Sequence, residues 1–178
     1  MVWNKSKIDK SVCGLGLLLC LGLLASCTIS YKFNGASIDY TKIKSITLGT
    51  FANRAAYQWG PMASMFNTQL SDIYARQTKL KQVKRDGDMQ ITGEITAYDQ
   101  YNKSISSSGY SSMMELKMTV KVNFVNNKDR KQDFEDRTFS ATREFDASQS
   151  LESVQEDLVT EMIKEITEQI FNATVANW

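Results

Sequence analysis

The chain has no histidine anywhere in its 178 residues. That removes every catalytic arrangement built on an imidazole and every histidine metal site. Cysteine is confined to Cys13, Cys20 and Cys27, so nothing after residue 27 can form a disulfide or a thiolate cluster. A single proline, Pro61, excludes collagen-like or proline-rich linker character. Neither sign of charge dominates, with 21 basic against 20 acidic residues. What remains, 42% hydrophobic and 23% charged residues, is the composition of one ordinary globular domain.

The first 26 residues read as an address. Lys5, Lys7 and Lys10 give a positive start, followed by an apolar run from Val12 to Leu24. The run has signal-peptide length and falls short of the ~20 residues that span a bilayer. It ends Leu24-Ala25-Ser26-Cys27, which resembles a lipobox, the cleavage signal of bacterial lipoproteins. In such a signal Leu24 anchors the peptidase site, Ala25 and Ser26 are small enough to pass it, and the Cys27 thiol takes a diacylglycerol. Cleavage makes Cys27 the new N-terminus, which is acylated again. Two or three acyl chains anchor a protein stably. The other reading is an ordinary secretory signal with a coincidental cysteine. Thr28 and Ile29 follow, neither acidic, so the resemblance implies the periplasmic face of the outer membrane. The expected organisation is a signal peptide over 1–26, a lipidated tether over 27–40 and one domain over 41–178. Residues 27–178 carry 18 basic and 19 acidic residues. That balance gives no general attraction to nucleic acid.

Hydrophobic spacing predicts the elements. Ile43, Ile46, Leu48 and Phe51 suggest a first strand. Gly60-Pro61 opens a helix, with Met62, Met65, Phe66, Leu70, Ile73 and Tyr74 as its apolar stripe, ending near Gln77. After the turn Asp86-Gly87-Asp88, residues Met89, Ile91, Ile95 and Ala97 mark a second strand. Met114 to Phe124 alternates apolar and polar residues without a break, the mark of a strand with one buried and one wet face. Residues 126–130 form a hairpin tip. Phe139, Ala141 and Phe145 mark a fourth strand, with Phe134 out of phase, which predicts a bulge. Ser148 or Ser150 caps a last helix whose stripe runs from Leu151 through Val154, Leu158 and Met162 to Ile170. Its other face carries Glu156, Asp157, Glu161, Glu165 and Glu168. The expected fold is α+β: a two-layer sandwich with both helices on one face of a four-stranded mixed or antiparallel sheet.

The ordered set of a lipobox, a strand, a helix, three strands and a helix resembles the lipopolysaccharide-assembly lipoprotein family, LptE. Tyr31 to Ile38, Gly87 to Thr96, Asp146 to Leu151 and Ile170 to Trp178 carry the resemblance, which covers essentially the whole chain after the signal. It implies a protein that sits in the lumen of a large outer-membrane β-barrel, the LptD translocon. There it plugs the barrel, helps it assemble and contacts lipopolysaccharide. It further implies no enzymatic activity and no cofactor beyond the lipid on Cys27. A non-enzymatic binding module of another envelope assembly machine is the alternative.

The stretch from Tyr98 to Ser112 reads as a long loop, against ~2–5 residues in most hairpins. Its excess length suggests function, and a solvated serine-rich turn is the other reading. The resemblance assigns a basic lipopolysaccharide contact there, which falls by position on Lys103. Tyr98, Tyr101 and Tyr110 are candidate partner contacts, since tyrosine favours interfaces. Lys128, Arg130 and Lys131 are further candidates for lipopolysaccharide, or else a solvated turn. Arg76, Lys79, Lys81, Lys84 and Arg85 form a basic cluster. It suits phosphates, and it equally suits a helix C-terminus beside a protected edge strand. Asp133, Glu135, Asp136, Glu144 and Asp146 could offer paired catalytic carboxylates, although charged strand faces and turns also give such clusters by chance.

Overall fold

The computed structural model describes residues 38–105 and 111–175. Cys27 and Tyr110, with the signal and most of the tether, lie outside them. The elements run β1 (Ser45–Leu48), β2 (Ala52–Asn53), α1 (Met62–Gln77), β3 (Lys81–Gln82), β4 (Met89–Ile105), β5 (Ser111–Asn126), β6 (Phe134–Asp146) and α2 (Leu151–Thr174). The sheet order is β3-β1-β4-β5-β6, with β2 also paired to β4. β1 pairs in parallel with β3 and β4, whereas β4, β5 and β6 are antiparallel. The expected two-layer α+β sandwich is what forms.

Among the described residues the sheet has six strands instead of four, for two local reasons. The expected first strand is broken into β1 and β2, both parallel to β4. Between them Asn67 of α1 takes over the backbone of Phe51. Its side chain accepts from the Phe51 N–H at 2.8 Å and donates to the Phe51 carbonyl at 2.9 Å. A side-chain amide here replaces a strand partner, and the ladder is interrupted. β3 is only two residues long and exposed. Its Lys-Gln sequence carries no apolar alternation, so periodicity cannot announce it. Backbone bonds from Lys81 to Lys44 and from Val83 to Ile46 hold it on β1.

The core lies between the helices and one sheet face. β5 buries Leu116, Met118, Val120, Val122 and Phe124, while the residues between them stay partly exposed. The helices add Phe66, Leu70 and Tyr74 from α1, and Met162, Ile163, Ile166 and Ile170 from α2. Each such side chain contributes ~1.5–3 kcal/mol when fully buried. The Tyr74 hydroxyl meets the Thr174 hydroxyl at 2.5 Å, tying the two helices together inside the core. Burial pushes that phenol above its ordinary pKa.

The expected bulge is present. Val122 pairs with Arg137 and Phe124 with Phe134, so Glu135 and Asp136 stand opposite Asn123 alone. Asp136 adopts φ 49°, and its N–H donates to the Asn123 side chain at 2.6 Å. The extra residue returns Phe134 to the core side, where its ring lies 5.5 Å from that of Phe124. The stripe of α2 is buried as expected from Met162 to Ile170 and is rotated only in the first turns. Gln155 and Val159 are buried, and Leu151, Val154 and Leu158 are only partly so.

Candidate functional site

The expected loop from Tyr98 to Ser112 is a correction. Tyr98, Tyr101 and Lys103 belong to β4, which pairs with β5 out to Ile105 opposite Ser111. Register shifts at Thr96 and Lys103 absorb residues that break strict alternation, which is why the sequence reads as irregular there. The 17 residues of β4 span about 55 Å. β1 and β2 accompany only its first half, so the rest projects as a hairpin flanked by β6.

The tyrosines divide. Tyr98 points inward, is 1% exposed, and accepts a 2.9 Å hydrogen bond from Gln155 of α2. Its ring stacks on Tyr57 at 5.7 Å and 18°. The inner of these rings is core, and the outer one, Tyr57, is half exposed. Together they line a 570 Å³ groove with Asp99, Leu116 and the start of α2. Tyr101 lies opposite Glu115 and is 49% exposed, so it is the tyrosine of the pair in β4 that remains open to a partner.

Lys103 sits between two carboxylates. Its ammonium pairs with Glu144 of β6 and, at 3.6 Å, with Glu115 of β5. Glu144 is the main cause of the raised pKa of this lysine. A cation held by two acids presents no net positive charge to an incoming phosphate. The neighbouring rows of the open sheet face are also mixed in sign: Asp99 stands opposite Lys117, and Glu94 opposite Lys121.

Lys128, Arg130 and Lys131 lie at the other end of the hairpin. Met89 pairs with Asn126 and Asn102 with Met114, which separates the tip from Lys103 by about 40 Å. The structure does not bring these two sets together. Lys128 pairs with Asp88 at 3.1 Å, and Arg130 approaches Asp133 at 3.9 Å. Asp88 ties this end together. Its carboxylate accepts from the backbone of Lys44 and Ser45 and from the Ser45 hydroxyl. These bonds, led by that of Lys44, hold its pKa down to about 2.

The acidic candidates are dispersed. Asp133 accepts from the Asn126 N–H, Asp136 lies 3.8 Å from Lys121, Glu144 holds Lys103, and Asp146 accepts from the Ser148 N–H. Each of these four has a local structural partner, and they do not converge on one point. Among the described residues no group of three or more acids or cysteines could hold a metal ion. None of the described helices is long and apolar enough to cross a membrane. Sequence reasoning missed Gln155, Arg143 and Asn67. Arg143 of β6 reaches Glu161 at 2.8 Å and Glu165 at 2.7 Å on α2, so part of the acidic helix face is a clasp onto the sheet. An arginine three residues from a strand's end offers no signal for this without the helix beside it.

These features define a two-layer α+β domain with an open sheet face of mixed charge. Its fold is similar to that of an uncharacterized lipoprotein B from Nitrosomonas europaea, with TM-score 0.51, 17% identity, and 72% of this chain and 79% of that one covered. It is similar also to a hypothetical protein from Chlamydia trachomatis, with TM-score 0.53, 8% identity, and 76% and 99% covered. At such identities the likeness is one of fold. No curated protein matches the sequence. The family model of LptE, lipopolysaccharide-assembly, matches residues 43–174, and the chain belongs to that family.

Proposed function

We propose that the protein is an outer-membrane lipoprotein, anchored through Cys27 on the periplasmic side, that plugs and helps assemble an LptD-type β-barrel and aids lipopolysaccharide insertion. Residues 1–26 are its signal peptide and 27–40 its tether. It makes and breaks no bond. The observation that carries this reading is the family match, which runs from before β1 to the last turn of α2 and so takes in both layers. The polar open sheet face supports it, because the lumen of an outer-membrane barrel is itself polar.

Lipopolysaccharide contact falls on the projecting end of the hairpin, through Lys103 with Tyr101 beside it. Lys103 gains a phosphate only by releasing a carboxylate, since Glu144 and Glu115 already hold it. Lys103→Glu is therefore expected to weaken lipopolysaccharide binding several-fold, and Glu144→Gln to strengthen it. Binding unchanged in both variants, measured on the purified protein, would remove Lys103 from the contact.

The test of the whole reading is purification of the protein from detergent-solubilised envelopes, with mass spectrometry of what accompanies it. A large β-barrel at equal stoichiometry is the expected result. The intact protein eluting alone would instead favour a binding module of another envelope machine. Labelled palmitate is expected on the native protein and absent from Cys27→Ala.

A further inference from the structure

Charge in this domain is polarised by the fold. Segments 39–44, 79–88 and 126–133 are distant in sequence, yet they meet at the end of the sheet where β1, β3 and the start of β4 lie. The Lys81 N–H bonds to Lys44, the Asn127 N–H to Asp88, and Lys128 pairs with Asp88. Those segments hold nine basic and five acidic residues. The other described segments hold eight basic and fourteen acidic ones.

Within the basic end, Lys44, Lys79, Lys81, Lys84 and Arg85 are exposed, and none is in an ion pair with a described carboxylate. They lie along the β1–β3 edge. Gln82 turns toward α1, where it bonds Ser71, and alternation sends Lys81 to the opposite side. The chain enters the domain beside this edge: Tyr40 accepts from the Lys79 N–H at 3.5 Å. Ten residues lie between Cys27 and Ile38, a span of at most about 40 Å when extended.

We propose that the β1–β3 edge is a docking surface for the anionic phospholipid headgroups of the leaflet in which the protein is anchored. It would hold the domain on the membrane, before it engages the barrel, with the hairpin bearing Tyr101 and Lys103 directed away. A set of exposed cations without described carboxylate partners suits a surface of many phosphates better than one shaped ligand, and its attraction is screened by salt. This orientation rests on the lipid-anchor reading of Cys27.

The experiment reconstitutes the purified protein in phosphatidylethanolamine nanodiscs with or without phosphatidylglycerol, and reads lysine acetylation by peptide mass spectrometry. Lys44, Lys79, Lys81 and Lys84 are expected to react about fivefold more slowly in the anionic discs at low salt, and equally in both discs at high salt. Lys117 and Lys121 on the open sheet face are expected not to change. In the exposed double variant Lys81→Glu, Lys84→Glu, the slowing at Lys79 and Lys44 is expected to disappear. Equal rates in both discs overturn the assignment, and so does slowing that requires added lipopolysaccharide. An intact mass without acyl chains refutes the anchor alone, and the acetylation pattern in the same discs still decides the docking surface.

Discussion

Gly93 shows how little room the sheet leaves at one residue. A Cβ there would lie 2.2 Å from the Lys121 carbonyl oxygen and 2.5 Å from the Phe51 ring. Gly93→Ala is expected to destabilise by about 2–3 kcal/mol. Gly60→Ala, with nothing within 4 Å, is expected to stay within about 0.5 kcal/mol of wild type. Urea unfolding of both variants checks the pair. Asp88 sets the response to acid. Its folded pKa, about 2, lies below its ordinary value of 3.8. The stabilisation is thus complete above the ordinary value and is lost as pH falls through the folded one. About 1–2 kcal/mol should disappear between about pH 4 and pH 2. Asp88→Asn is expected to be less stable at neutral pH and to show a smaller loss over that range.

At the scale of elements, polar side chains join the layers that apolar stripes only bring near. Gln155 connects α2 to β4 through the Tyr98 hydroxyl, and both groups are buried. Tyr98→Phe strands the Gln155 amide, and Gln155→Leu strands the hydroxyl. Each is expected to cost about 1–2 kcal/mol, and the double variant less than the sum, because one orphaned partner is removed with the other. Thermal unfolding of the three variants reads this directly; simple additivity would show that the bond couples nothing. Helix existence was legible from the stripes of α1 and α2, and β5 from its alternation. The rotation of α2 was not, because a glutamine carries no apolar signal until a tyrosine hydroxyl faces it. β3 was invisible for a related reason: an exposed two-residue strand is defined by its backbone partner alone.

For the whole molecule, the family match and the two-layer fold agree with an expectation built from ordered motifs that are individually weak. The assembly prediction belongs here. Depleting the protein is expected to leave the barrel poorly assembled and the envelope defective, read as loss of mature barrel on gels; a normal barrel without the lipoprotein would end the plug reading. Charge offers the contrast between levels. From the sequence, a nearly neutral chain excludes general attraction to anions. In the fold, the same residues separate into a basic end and an acidic remainder. By itself the sequence determined the class of fold and most of the core, since these follow from local runs and periodicities that each segment carries alone. Only the tertiary structure decided which cations are free. Lys103 looks like a lone basic residue until Glu115 and Glu144 arrive from two other strands. Lys81 looks like one of a run until β1 gathers it with Lys44, and neither has a carboxylate partner among the described residues. Coulomb interactions depend on distance in space, and a linear chain does not state its distances.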